Sequence, residues 1–312
     1  MKREKKKTVE YGKYGVIFLI PFFAAFLIFQ FYPLLYTIFK SFLYDQKTGR
    51  NNITTVFGLG NYTNYVFGEA GNGEFWQALI ITIVLWLLNF IPQIVLSLLL
   101  AAWFTDSNNK LKGTGVYKVI MYMPNIITAA TIAVLFFNLF SVNGSITKEL
   151  IDLGIVPATG FMEQGWGTLF LIAFIQFWMW YGNTMVVLIA GILGISESLY
   201  EAARVDGATS RQQFFKITLP LLRPILQYTL VTSAIGGLQM YDIPQLLMKG
   251  VPIVKVGETS VNSTTTVVML IKKYVSGSSS ENLGRASAYS VVLFLVTLCI
   301  SMIFYRATAK KD

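Results

Sequence analysis

Histidine is absent from all 312 residues. That removes the usual general base, the commonest metal ligand and the side chain that titrates near neutral pH. Cysteine occurs once, at Cys299, which excludes an internal disulfide and any Cys/His metal pattern. Charge is scarce as well. Only 13% of residues are Asp, Glu, Lys or Arg, where a soluble domain carries about 25%. No Gly-x4-Gly-Lys-Ser/Thr phosphate loop occurs, so ATP has to be bound by another chain if this one works with it. With neither histidine, a paired-acid cluster nor a metal motif, there is little to support an embedded enzyme.

What is present is apolar length. Hydrophobic residues make up 54% of the chain, and the charges fall into short islands between long uncharged stretches. A bilayer core needs about 20 consecutive apolar residues, longer than a buried soluble helix requires. The stretches predict an all-α polytopic membrane protein with about six spans, at 15–38, 77–104, 119–141, 167–193, 224–246 and 286–305. In lipid each must be helical, because no water is there to satisfy free backbone groups. Pro21, Pro33, Pro92 and Pro124 are tolerable there as kinks. The basic start, Lys2 to Lys7, resembles a signal n-region. The apolar part after it is too long and lacks a prompt small-residue cleavage site, so it predicts an uncleaved signal-anchor.

The net charge of +9 does not require nucleic acid. Membrane proteins concentrate Lys and Arg on cytoplasmic loops. Here 16 of the 25 fall on the N-terminus, 105–118, 197–223 and the C-terminus, and 9 on the alternate segments 40–76, 142–166 and 249–285. The positive-inside rule places both termini in the cytoplasm. The predicted organisation is a basic cytoplasmic N-terminus over 1–13, one transmembrane domain over 14–306 and a cytoplasmic tail over 307–312.

The segment 196–220 is not a plain tether. Ser198 with Glu201 makes a capping box, Leu199 to Asp206 fit about two helical turns, and Gly207 suits a left-handed stop. Ser210 with Gln213 offers a second cap, Phe214, Phe215 and Ile217 an apolar side, and Pro220 and Pro224 mark the next span. Such a compact pair of helices can dock into a partner's groove and be pushed as a lever, or lie on the membrane surface as an amphipathic connector.

Glu201-Ala202-Ala203, three residues, Gly207, nine residues, Ile217, one residue, Leu219-Pro220 resembles the EAA motif of ABC importer permeases. The resemblance covers nearly the whole chain and narrows to the carbohydrate type, relatives of maltose and glycerol-phosphate importers. It is carried by Phe57-Gly-Leu-Gly-Asn-Tyr62, Phe75-Trp-Gln-Ala-Leu79, Met123-Pro124, Asn143-Gly144, Tyr200 to Ala208 and Leu283-Gly-Arg-Ala-Ser-Ala288. Lys249-Gly-Val-Pro252 departs from the family's Gly-Gly-Pro, so the 249–282 loop is left open. The resemblance implies a permease subunit in a bacterial inner membrane, with no cofactor and no catalysis of its own. The implied partners are a second permease (as a heterodimer), a pair of ATPase subunits, an extracellular or periplasmic sugar-binding protein, the carbohydrate and lipid. It also implies that Glu201, Ala202, Ala203, Asp206 and Gly207 form the ATPase-coupling helix and its turn.

A sugar site needs hydroxyl partners and aromatic faces near the bilayer midplane. Thr232, Gly236 and Gln239 share one face of the fifth span at i, i+4, i+7. Trp178, Tyr181 and Asn183 lie in the fourth span and Asn125 in the third. Alignment through the motifs matches Asn125, Trp178, Asn183, Thr232, Gly236 and Gln239 to positions that contact sugar in the maltose-type permease. Small and polar residues also mediate helix packing in membranes, and Trp and Tyr gather in interfacial belts. Asp242 is the one acid placed within or at the end of a span. An ion-coupled secondary transporter would need such groups, but its nearness to the outer interface favours a structural or gating role.

Overall fold

The computed structural model describes residues 12–48, 52–68, 71, 73–106, 112–163, 165–248, 253–256, 259–276 and 280–308. Most of the predicted basic N-terminus, the end of the 307–312 tail and Lys249 to Pro252 lie outside them. The chain opens with α1 (Gly12–Phe26) and α2 (Tyr32–Ser41), joined by a π-helical turn at Leu27–Phe31. That turn sits just before Pro33, which has no N–H to give the carbonyl four residues back. Widening the helix by one residue absorbs the mismatch. The same device recurs at Phe214–Thr218, ahead of Pro220. A hairpin follows, β1 (Leu43–Thr48) against β2 (Asn52–Phe57), with Leu43 opposite Phe57.

The bundle is built on α3 (Glu74–Thr105) and α7 (Gly165–Leu193). α3 is about 48 Å long at 1.5 Å per residue, and the two helices pack along their length. Leu85, Ile172 and Ile175 are fully buried in the shared core. Ser97 Oγ donates to the Tyr181 carbonyl at 2.7 Å, a polar tie of the kind that substitutes for the weak hydrophobic drive inside lipid. Between α3 and α7 run α4 (Thr114–Ile126), α5 (Ala129–Phe140) and α6 (Ser145–Asp152). α4 meets α7 at Gly182, where a Cβ would come within 2.5 Å of the Met121 carbonyl oxygen, so glycine permits the approach. After α7 come the short helices α8 (Glu197–Val205), α9 (Ser210–Gln213) and α10 (Leu219–Leu221). The chain then returns through α11 (Arg223–Leu238) and α12 (Asp242–Met248), the hairpin β3 (Ile253–Val256) and β4 (Thr259–Asn262), α13 (Val267–Val275) and α14 (Ser280–Thr308).

Among the described residues five helical stretches are long and apolar enough to cross a membrane: Tyr14–Ser41, Glu74–Thr105, Ala129–Asp152, Gly165–Leu193 and Asn282–Thr308. The segment expected at 224–246 is divided instead. α11 stops at Leu238, and Gln239 to Tyr241 separate it from α12. The segment at 119–141 is likewise interrupted at Ile127 and Thr128, where Thr128 caps α5 by accepting the Thr131 N–H. In the first of these stretches the most apolar part is left unburied by the described residues, while its second half, α2, packs against α14.

At the end of the bundle where α3 begins, Arg285 ties three elements together. Its guanidinium lies 4.2 Å from the Tyr274 ring centroid and 4.5 Å from that of Tyr65. Its Nε donates to Tyr289 Oη at 2.8 Å, and Glu74 lies 3.8 Å away. Burial first, then the hydrogen bond it donates to Glu74, hold the Tyr274 phenol above its ordinary range. Arg285→Met is expected to lower the thermal midpoint of the purified protein, at a cost of about 1.5–3 kcal/mol for the lost charged hydrogen bonds. Lysine should rescue little, since it lacks the planar fork that stacks on the rings. An unchanged melting curve would show that the cluster holds nothing.

Candidate functional site

Where α11 breaks, a cleft of ≈ 580 Å³ opens between α3, α7 and α11. α3 contributes Trp86, Asn89 and Gln93 from its middle turns. These are fixed: Trp86 Nε1 donates to Ser233 Oγ at 3.0 Å, Asn89 Nδ2 to the Leu85 carbonyl at 2.7 Å and Gln93 Nε2 to Thr184 Oγ1 at 2.7 Å. From α7 come Gln176, Trp180, Asn183 and Thr184. From α11 and the break come Tyr228, Thr232, Gly236, Gln239, Tyr241 and Asp242. The side-chain amides of Gln176, Asn183 and Gln239 make no hydrogen bond among the described residues, which leaves them free for a ligand. The break has a purpose in this setting: irregular backbone at membrane depth is tolerated where it lines a cavity.

Of the six residues singled out in the sequence for sugar contact, Asn183, Thr232, Gly236 and Gln239 lie on this wall. Asn125 and Trp178 do not. Asn125 Nδ2 donates to the Met179 carbonyl at 3.2 Å and so joins α4 to α7. Trp178 is half-buried and packs edge-on against Phe136, ring centroids 5.9 Å apart. Helical geometry explains the division. Trp178 and Asn183 are five residues apart, about 140° round the helix, whereas Gln176, Trp180, Asn183 and Val187 recur at three or four residues on one stripe. That spacing was available in the sequence. Trp178→Ala is expected to cost roughly 3 kcal/mol of stability as a core truncation, seen as a lower thermal midpoint. Trp180, 47% exposed, should behave oppositely on substitution by alanine, with unchanged melting and weakened transport. The same response from both would contradict the assignment.

A second feature lies at the opposite end of α3 from Glu74. α8 begins two residues earlier than expected, with Ser196 at its cap position, and Ser196 and Ser198 share a 2.8 Å hydroxyl contact in place of the expected Ser198–Glu201 box. The capping box of α9 is also shifted, formed by Thr209 and Gln212 and not by Ser210 and Gln213. In α9 the Thr209 hydroxyl and the Gln212 side chain serve the free N–H groups, whereas in α8 the Ser196 hydroxyl is turned to Ser198 and makes no cap hydrogen bond. α8 ends in a Schellman turn. The Ala208 N–H donates to the Ala203 carbonyl at 2.8 Å and the Gly207 N–H to that of Arg204 at 3.0 Å, with Gly207 at φ +76°. Tyr200 Oη to Thr218 Oγ1 at 2.8 Å and Gln213 Nε2 to the Ala208 carbonyl at 3.1 Å lock the two short helices together. Glu201, Ala202, Asp206 and Gly207 are exposed and Ala203 is half-buried. α8 has no buried residue, and Leu199 and Val205 are 46% and 88% exposed.

Residues 70–310 match the sequence profile of the binding-protein-dependent transport system inner membrane component family. The chain belongs to that family. It is therefore a multi-pass inner-membrane component of such a transport system. Family relatives include the lactose transport system permease protein LacF of Rhizobium radiobacter, 29% identical over 304 residues and 96% of each chain. The arabinooligosaccharides transport system permease protein AraP of Bacillus subtilis is 29% identical, over 92% of this chain and 86% of its own. The trehalose/maltose transport system permease protein MalF of Thermococcus litoralis is 27% identical, over 95% and 93%. Among solved structures, a bacterial ABC transporter involved in alginate import superposes with a TM-score of 0.69 at 21% identity, over 96% of both chains. That likeness concerns the fold alone.

Proposed function

We propose that the chain is one permease subunit of an ATP-driven ABC importer, and that with a second permease it forms the path for a sugar or oligosaccharide delivered by an extracellular binding protein. The cleft at the α11 break carries the reading. Free amides, hydroxyls and the faces of Trp180, Tyr228 and Tyr241 surround it, the chemistry that grips a polyol ring from its edges and its C–H faces. The relatives named for lactose, arabinooligosaccharides and trehalose or maltose support the same substrate class.

In this reading α8 is the cytoplasmic coupling helix. The exposed Leu199, Ala202 and Val205 fall three residues apart on one face and have no covering within the described chain. Such a stripe suits a groove in a separate ATPase subunit, with Glu201 beside it to meet a basic group. Both termini then lie in the cytoplasm, and closure of the ATPase pair draws the coupling helices together and rocks the permeases between inward-open and outward-open states. Purification of the tagged chain should bring down an ATPase subunit and a second permease. In proteoliposomes, binding protein loaded with sugar should raise ATP hydrolysis and drive uptake. Full uptake by the isolated chain on an ion gradient alone would overturn the proposal.

A further inference from the structure

We infer that the cleft selects uncharged saccharides and that Asp242 turns away those bearing a carboxylate, sulfonate or phosphate. This rests on the saccharide reading above and names the class within it. Among the described residues lining the cleft, Asp242 is the only one with an acidic or basic side chain apart from the tyrosine phenols. It is exposed there at the first residue of α12, next to Tyr241 and three residues from Gln239. A carboxylate accepts sugar hydroxyls through strong charge-assisted bonds, two oxygens serving two hydroxyls. An anionic sugar would instead meet a like charge at close range.

Among the described residues no Lys or Arg lines the wall to offset this. The lysine that approaches the rim, Lys272 of α13, lies with its ammonium 4.5 Å from the Tyr241 ring centroid and donates to the Tyr241 hydroxyl. It is not part of the lining. The remaining polar groups are amides, hydroxyls and indole N–H groups, which bind a neutral ring and bring no positive charge to meet a carboxylate.

The test is equilibrium binding to the assembled importer, both permeases with the ATPase pair and no binding protein, so that the binding protein's own preference plays no part. Saturation-transfer NMR titrations would compare lactose, maltose and arabinotriose with lactobionate, maltobionate and trigalacturonate. The expected result is that at least one neutral sugar binds and that the acidic sugars bind at least tenfold more weakly. Asp242→Asn should narrow that gap by about tenfold and Asp242→Lys should close or reverse it. Both variants alter an exposed side chain, and their thermal midpoints check that the fold is kept. Acidic sugars binding as well as neutral ones, or a gap that neither variant moves, would overturn this inference and leave the saccharide reading standing. Binding of no sugar at all would remove the saccharide reading and this inference with it.

Discussion

Reversing the charge at Glu201 is expected to cut ATP-driven uptake roughly a hundredfold, because like charges forced together at an interface cost several kcal/mol and each 1.4 kcal/mol is tenfold. Glu201 is exposed on a nine-residue helix with no buried residue, so Glu201→Arg disturbs nothing inside the chain. Thermal unfolding should be unchanged while sugar-stimulated ATP hydrolysis and uptake fail together. Gly207 tests the same lever by a different route. A Cβ there meets no atom within 4 Å, so the only penalty is the left-handed backbone at φ +76°. That strain is about 1–2 kcal/mol for an ordinary residue, and β-branched side chains fare worse there. Gly207→Val should therefore loosen the Schellman turn and weaken coupling about tenfold, with alanine between the two. If the tagged Glu201→Arg chain still co-purifies its ATPase and transports at the normal rate, α8 is not the coupling element.

Two adjacent glycines on α11 should give opposite results. At Gly236 a Cβ faces open space on the cleft wall, with nothing within 4 Å. Gly236→Phe is expected to fill the passage and reduce uptake more than tenfold, with the bundle still folded and ATP hydrolysis no longer raised by sugar-loaded binding protein. One residue on, a Cβ at Gly237 would lie 2.0 Å from Cδ1 of Trp86, whose indole is held by Ser233 and packed at the α3–α11 contact. Gly237→Ala should thus destabilise the fold by about 1–3 kcal/mol as overpacking, read as a lower thermal midpoint. The pair separates a path from a packing seam within a single peptide. Normal uptake by Gly236→Phe would mean that the cleft is not the route taken.

Much of the architecture was legible in the chain. Long uncharged stretches bounded by charge islands already mark α3, α7 and α14, since a span must be continuous and apolar to satisfy its backbone in lipid. The two short helices at 196–220 were readable too, because a left-handed glycine and helix-stopping prolines act over a few residues. The box expected at α9 moved by one position, and the one expected at α8 does not form. The cleft was half legible. Thr232, Gly236 and Gln239 share a face by periodicity alone, but nothing in the sequence joins Asn89, Gln93, Gln176 and Trp180 of the facing helices to them. Their stripe is visible in the spacing, yet spacing cannot say whether it points to lipid, a neighbour or a cavity.

By itself, the order of residues determined that this chain lives in a membrane, that it carries no histidine chemistry or phosphate loop, and that it bears a compact helical segment between two apolar ones. Those properties are local or compositional, set by solvation and by backbone preferences within a turn or two. Only the tertiary structure decided that the fifth apolar segment breaks at Gln239, that Trp178 packs against Phe136 while Trp180 lines the cleft, and that Asp242 is the lone acid on its wall among the described residues. Those outcomes depend on which helix faces meet, and helices far apart in sequence choose their faces by mutual packing, which no single segment encodes.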